Sequence, residues 1–208
     1  PVSLATLTTG AMPSTHGVIG SRWVDYTTNR VVELTAGRRG PGAYNLIAPT
    51  LSETLLQHAP GSRSVTVAAE AVSAVVMAGR SGEVFWLDPE RCDWATSPYY
   101  APGVPEWIER SNRERHNLSY ITTEWRTLLE RGRYLNTRNH DIALAGKSKK
   151  DKDLNGAGRL KPANDFERLL YTPAGNTAVL GLAKQAIAQY KLGDDKVPDL
   201  LNICLDTP

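Results

Sequence analysis

The feature that most constrains the fold is an amphipathic segment near the end of the chain, followed after a short turn by a continuous apolar run. Asn176 or Thr177 can cap the start of a helix here, and Gly193 can close its end. The run at 199–205 is apolar without alternation, which is typical of a strand covered on both faces. This succession predicts an α/β fold, with a mixed or parallel sheet flanked by helices. The apolar residues at helical spacing are Val179, Leu180, Leu182, Ala183, Ala186, Ile187 and Tyr190.

Three shorter helices are predicted upstream. The first spans 2–9 and ends at Gly10. In the second, Thr50 and Glu53 have the spacing of a capping box. Pro105 suits the first position of the third helix. The predicted apolar face of the second helix is formed by Leu51, Leu55 and Leu56.

The remaining ordered segments are short. Runs rich in β-forming residues predict strands at 64–68 and 83–87, and the segment at 96–100 fits a loop or an edge strand. The apolar segment at 72–77 fits either a helix or a strand, and we expect an ordered loop at 12–20.

Length and charge narrow the class of protein. The 208 residues fit a single domain over 1–208, with a polar inserted region at about 112–165. Its lysine-rich stretch at 147–152 is interpreted as a solvated loop. A net charge of +2 gives no electrostatic reason to expect a nucleic-acid partner. No apolar run approaches the roughly 20 residues that span a membrane. The first residues do not resemble a signal peptide, and the chain reads as part of something longer.

The residues by themselves provide few candidates for catalysis or metal binding. His16 lies in a tight loop, where it can serve as a base or ligand, or can hold the loop through backbone hydrogen bonds, which we favour. The other histidines lack the spacing of a metal site and are predicted to be surface residues: His58, His116 and His140. Cys92 and Cys204 form no zinc pattern, and we expect Cys204 to be a buried free thiol rather than half of a disulfide.

Two blocks of sequence carry a resemblance to a known family. Residues 5–23, with Thr9-Gly10, a proline and then His16-Gly17, resemble the segment that follows the nucleophile in the alkaline phosphatase superfamily. Residues 171–176, the helix after them and the strand at 199–205 resemble a second block of the same superfamily. The chain looks similar to phosphate-irrepressible alkaline phosphatases and, more distantly, to nucleotide pyrophosphatase/phosphodiesterases. The resemblance implies an incomplete, central portion of that α/β fold.

The same resemblance implies a catalytic mechanism for the longer protein of which this chain is expected to be a part, called the parent below. Family members bind a pair of zinc ions and use a Thr or Ser at a helix N-terminus to attack phosphorus, and the metals lower the nucleophile's pKa. The nucleophile is expected just before Pro1, and the first metal-binding Asp just after Pro208. We therefore expect zinc in the parent, no metal in this chain, a small phosphate ester as substrate, and a periplasmic or secreted location.

The family's substrate-contacting positions fall on altered residues. An Asn that contacts a phosphoryl oxygen corresponds to Ser21, and a Lys/Arg clamp corresponds to Glu70 and Val72. A misalignment by a residue or two is the alternative, since Arg63 and Arg80 lie nearby. Other matching positions are interpreted as structural: His16, Gly17, Gly20, Trp23, Pro173, Gly175 and Asn176.

Three functions follow as alternatives. The first is a portion of a metal-dependent hydrolase of phosphate monoesters or diesters, inactive as this isolated chain. The second is a non-catalytic binding or interaction domain on the same fold, which Glu70 and Val72 favour because neither stabilises a phosphate dianion. The third is an unrelated α/β ligand-binding module.

Overall fold

The structure is a computed structural model, and it describes residues 1–121, 169–170 and 173–206. Its helices are α1 (Val2–Thr9), α2 (Pro13–His16), α3 (Leu51–His58), α4 (Ala71–Ala78), α5 (Glu106–Arg113), α6 (Leu118–Ile121) and α7 (Pro173–Tyr190). Its strands are β1 (Arg22–Asp25), β2 (Arg30–Glu33), β3 (Ser64–Ala68), β4 (Glu83–Leu87), β5 (Trp94–Ala95) and β6 (Leu200–Cys204). Helices and strands alternate from α3 to β4, and a helix precedes β6, which confirms the predicted α/β class.

The main sheet of the described residues has the order β5-β4-β3-β6. Strand β3 pairs in parallel with β4 and β6, and β4 pairs antiparallel with β5. In this register Ala68, the last residue of β3, lies beside Trp86 and Cys204. The carboxyl ends of three parallel strands therefore meet at one edge of the sheet. A separate antiparallel pair, β1 and β2, places Trp23 opposite Val32.

The two faces of the sheet bury different sets of side chains, as the alternation of a strand requires. On one face Val65, Val67 and Phe85 pack against α5 and α7 in the largest apolar cluster. On the other face Ala68 and Val84 pack against α4, which also carries part of the cluster that contains Ala5 of α1. Burial on both faces explains why all five residues of β3 are buried.

Several local predictions are confirmed. Helix α1 covers the predicted residues and ends at Gly10, whose φ is 66°. Strands β3 and β4 also have the predicted bounds. The capping box at Thr50 is complete, because the Thr50 hydroxyl accepts from the backbone of Glu53 and the Glu53 carboxylate accepts from the backbone of Thr50. The ambiguous segment at 72–77 is helical and belongs to α4.

Other local predictions are wrong. Leu51 is exposed, and Ser52 takes the buried position on α3, where its hydroxyl donates to the carbonyl of Met77. The loop at 12–20 contains α2, because Pro13 begins a short helical turn. Pro105 is the residue before α5 rather than its first residue. Capping by Asn176 or Thr177 is also wrong, since α7 starts at Pro173 and both residues lie within its first turns.

Strand β6 is not covered on both faces as predicted. All five of its residues are half-buried, because β6 lies at the edge of the sheet formed by the described residues. Cys204 is accordingly a half-buried free thiol, whereas Cys92 is buried and also free. Of the predicted polar insertion, residues 112–121 complete α5 and form α6. The remainder lies outside the described residues, including His140 and the lysine-rich stretch.

Candidate functional site at the carboxyl edge of the sheet

Two carboxylates follow neighbouring parallel strands at the carboxyl edge of the sheet. Glu70 comes two residues after β3 and is the N-cap residue of α4. Asp206 comes two residues after β6. Because β3 and β6 are paired in parallel, the two acids lie side by side at this edge. The crevice outside the carboxyl ends of parallel strands is where α/β proteins usually bind their ligands.

Asp206 is held by three donors from the surrounding elements. Its Oδ1 accepts from Ser73 Oγ at 2.6 Å and from Cys204 Sγ at 3.0 Å, and its Oδ2 accepts from the backbone N–H of Glu70 at 3.3 Å. Two of the donors belong to the first turn of α4 and its cap, where the helix dipole favours negative charge. The carboxylate therefore ties the end of β6 to the start of α4.

The electrostatics of the edge follow from this placement. Partial desolvation of the carboxyl group against the sheet edge and, second, the negative charge of Asp206 raise the pKa of Glu70. Burial, followed by the hydrogen bond to Asp206, raises the pKa of the Cys204 thiol to about 12. The edge thus holds two acidic groups, and Cys204 beside them is a neutral thiol near pH 7.

Helix α1 lies alongside α4. Thr8 Oγ1, near the end of α1, donates to the carbonyl of Val76 at 3.2 Å, near the end of α4. Val2 and Val72, from the first turns of the two helices, pack against the same apolar cluster. The two helices therefore run in the same direction, and the amino end of α1 lies toward the edge that carries Glu70.

The structure brings some of the predicted substrate-contacting residues together. Glu70 and Val72 both lie at the start of α4, where Glu70 is exposed and Val72 is half-buried in the apolar cluster. Ser21 is exposed just before β1, and its carbonyl accepts from the backbone of Leu34 at 3.0 Å. Within the described residues, no hydrogen bond joins Ser21 to Glu70 or Val72. Their roles toward substrate stay predictions.

The two arginines near the clamp positions are engaged elsewhere. Arg80, beyond the end of α4, forms an ion pair with Glu53 at 2.9 Å and donates to the carbonyl of Leu46. The Arg63 guanidinium lies over the ring of Tyr190, 5.4 Å from its centre, and Arg63 precedes β3. Both lie at the opposite ends of their elements from Glu70. Neither arginine replaces the clamp in this arrangement.

His16 lies inside the molecule, fully buried. Its Nδ1 accepts from the backbone N–H of Val18 at 3.0 Å, and its Nε2 lies 3.1 Å from Thr6 Oγ1. Since Nδ1 is an acceptor, the proton of the neutral ring belongs on Nε2, which donates to Thr6. The ring thus connects α1 to the loop after α2. These contacts suit the loop-holding role, which stays a prediction together with those of Gly17, Gly20 and Trp23.

In the second block, α7 begins at Pro173, and Gly175 lies against the end of the preceding segment. A Cβ atom on Gly175 would lie 2.5 Å from the carbonyl oxygen of Leu169, so this close approach requires glycine. Gly175 and Asn176 lie in the first turn of α7. The end of α7 contacts the start of β4 through Tyr190 and Glu83, so its first turn lies toward the carboxyl edge, on the face of the sheet opposite α4. Their predicted structural roles are otherwise untested.

Sequence reasoning missed Asp206 and Ser73, because neither matches a catalytic motif. The one available signal was position: a polar residue directly after a strand of a parallel sheet lies where ligands bind. The part of the chain that the structure describes holds no cluster of three His, Cys, Asp or Glu side chains that could hold a metal. The residues present here therefore do not fit a zinc ion by themselves. In the same part of the chain, no helix is long and apolar enough to cross a membrane.

Fold and sequence together define the class to which the chain belongs. The family model described as type I phosphodiesterase / nucleotide pyrophosphatase matches residues 1–199, so the chain belongs to this family. The expected placement in the alkaline phosphatase superfamily is confirmed.

Individual relatives match nearly the whole chain. The chain is 27% identical to a protein of Myroides odoratus named calcium-transporting ATPase, over 98% of this chain and 40% of that protein. It is also 27% identical to alkaline phosphatase PafA of Elizabethkingia meningoseptica, over 95% of this chain and 39% of PafA. The crystal structure of PafA superimposes with a TM-score of 0.82 at 24% identity, covering 99% of this chain and 43% of PafA. The chain thus spans about two fifths of the length of these relatives.

Proposed function

We propose that the full-length protein hydrolyses phosphate esters with bound zinc, that it prefers diesters to monoesters, and that this chain supplies one wall of the site. Family membership supports the reaction class. The preference rests on one observation: Glu70 and Asp206 lie side by side at the start of α4, where the resemblance places a Lys/Arg clamp. On the resemblance alone, we also propose a periplasmic or secreted location and no activity for the isolated chain.

The preference follows from charge. A phosphate monoester is largely a dianion near pH 7, whereas a diester carries a single negative charge. Two unit charges about 4 Å apart repel by about 4 kcal/mol at an effective dielectric constant near 20. Solvent around the exposed Glu70 reduces this figure, and Val72 offers no donor to a phosphoryl oxygen. The site therefore disfavours the dianion more than the monoanion.

The experiment compares kcat/KM for an aryl phosphate monoester and a methyl aryl phosphate diester in the zinc-loaded, full-length protein. We expect Glu70→Lys with Val72→Arg to raise the monoester-to-diester ratio at least about tenfold, because a guanidinium can bind two phosphoryl oxygens. Glu106→Lys is the matched control. It makes the same charge change as Glu70→Lys on an exposed side chain of α5, and it should leave the ratio unchanged.

The outcomes separate the two leading functions. An unchanged ratio in a folded, active double variant would show that Glu70 and Val72 do not face the phosphoryl group. No hydrolysis of either substrate by the zinc-loaded parent, together with measurable binding of the ester, would favour the non-catalytic binding domain, which Glu70 and Val72 also support.

A further inference from the structure

A serine, a histidine and a glutamate meet at the carboxyl end of α5. His116 Nδ1 lies 3.4 Å from Ser111 Oγ, and His116 Nε2 lies 3.3 Å from Glu114 Oε2. Ser111 is 6% exposed, whereas His116 and Glu114 are exposed. Arg115 has a φ of 52°, in the left-handed region, and this turn brings His116 back over Ser111. The sequence predicted His116 as a surface residue, and it missed both partners because their spacing matches no motif.

The donor and acceptor roles that the three side chains can take are mutually consistent. The Glu114 carboxylate can only accept, so the Nε2 that faces it carries the proton of the neutral ring. The Nδ1 lone pair then faces the hydroxyl of Ser111. A nucleophile within reach of a base that is itself oriented by a third group is the signature of nucleophilic catalysis. Compared with the Ser-His-Asp arrangement of serine proteases, the two ring nitrogens exchange places.

The cluster opens into a small cleft between α5 and α7. The cleft has a volume of about 180 Å³, and Ser111, Glu114 and His116 all line it. Trp107, one turn before Ser111, gives it an apolar wall. Gln185 and Gln189, one turn apart on α7, are exposed on the facing side. Side-chain amides of this kind can donate to an oxygen that gains negative charge during acyl transfer.

We propose that this cleft is a carboxylic ester hydrolase site that takes esters with small acyl groups, an activity beyond the proposed phosphate ester hydrolysis. Ser111 Oγ attacks the carbonyl carbon while its proton passes to His116 Nδ1, and the carbonyl π pair moves to the oxygen. Collapse of this intermediate breaks the bond to the alcohol, which leaves with the proton from His116. Water then attacks the acyl-serine, gives its proton to His116 Nδ1, and releases the acid as the proton returns to Ser111.

The test uses p-nitrophenyl acetate with the full-length protein. We expect a burst of nitrophenolate, and we expect Ser111→Ala and His116→Gln each to lower kcat/KM by roughly 10²–10⁴-fold, the range of general base catalysis. Glu114→Gln should lower it less, because the amide oxygen of glutamine can still accept from Nε2 of the ring. Ser14→Ala, a serine exposed on α2, is the matched control. A sulfonyl fluoride should label Ser111 and no other serine, as read by peptide mass mapping.

The near-ultraviolet circular dichroism spectrum shows whether each variant is folded. Ester cleavage unchanged in folded Ser111→Ala, or a label on another serine, would overturn the proposal. Loss of ester cleavage in Ser111→Ala, with restoration of at least part of the burst in Ser111→Cys, would support it. Because Ser111 lies on the face of the sheet opposite α4, these results do not depend on whether phosphate esters are substrates.

Discussion

At the scale of single residues, the side chain of Thr50 connects two helices. Its buried hydroxyl accepts from the Glu53 backbone at 3.3 Å and donates to the carbonyl of Ala78 at 3.0 Å, so it joins the start of α3 to the end of α4. We expect Thr50→Ala to lower the free energy of unfolding by about 1–3 kcal/mol, since it removes a cap and leaves a buried carbonyl unpaired. Urea unfolding of the original protein and the variant measures this difference in the free energy of unfolding. Thr50→Ser keeps the hydroxyl and should cost less, and equal losses in the two variants would contradict this role.

The buried thiol of Cys92 gives a second prediction at this scale. Burial and, second, the charge of Asp93 raise its pKa to about 12, against a value near 8.5 in an unfolded chain. The neutral thiol is the form that the fold accommodates. Its contribution to stability is therefore present below pH 8.5 and is lost as the pH rises toward 12.

We expect iodoacetamide at pH 8 to alkylate Cys92 in the folded protein on the order of 10³-fold more slowly than in guanidinium, because the thiolate fraction falls by that factor. Mass spectrometry of the Cys92 peptide follows the reaction. Equal rates in the folded and unfolded protein would mean that the thiol is accessible and ionises normally.

At the scale of elements, the end of α4 requires glycine. Gly79 has a φ of 70°, and a Cβ atom there would lie 2.7 Å from Thr50 Oγ1 and closer still to the Glu53 carboxylate. Gly79→Ala should therefore destabilise the protein by at least about 1–3 kcal/mol, through overpacking and backbone strain. Gly103→Ala is the control, because nothing lies within 4 Å of a Cβ at that position. The midpoints of thermal unfolding of the two variants are compared. Equal midpoints would contradict the close approach of Gly79 to the side chains of Thr50 and Glu53.

Elements with local signals were predictable from the sequence. The Thr50 capping box and the strand at 64–68 depend on adjacent residues, and the structure reproduces them. The burial of β6 was not predictable, because it depends on which strand lies next to it. Asn202 illustrates this: its amide in the middle of β6 donates to Ser52 and Thr66, partners 150 and 136 residues away.

The candidate site was predictable only in part. Similarity to a family motif drew attention to Glu70 and Val72, whose roles toward substrate stay predictions. It could not indicate that Asp206 would be fixed beside Glu70, because that contact exists only through the parallel pairing of β3 and β6. The cluster at Ser111 depends likewise on a left-handed residue at 115, which no motif marks.

At the scale of the whole molecule, we expect the metal content to differ between the 208-residue chain and the full-length protein. The described residues offer no cluster of three ligands, whereas a zinc site takes three or four. We expect the 208-residue chain to retain less than about 0.1 equivalent of zinc after dialysis against a weak chelator, and the full-length protein about two, as the family resemblance implies. Elemental analysis measures the zinc content of both proteins, and one equivalent of zinc bound to the 208-residue chain would refute the expectation.

The pairing of β3 with β6 also sets the order in which the sheet can form during synthesis. Asp199 contacts Arg63, 136 residues earlier in the chain. At about 5–20 residues per second, the ribosome needs roughly 7–27 s to add that length. Over this interval, the nascent chain holds β3 with one lateral edge unpaired, and an unpaired strand edge invites association with other chains. Association of the nascent chain with other chains, and its recognition by chaperones, should therefore depend on this delay more than on the stability of the finished sheet.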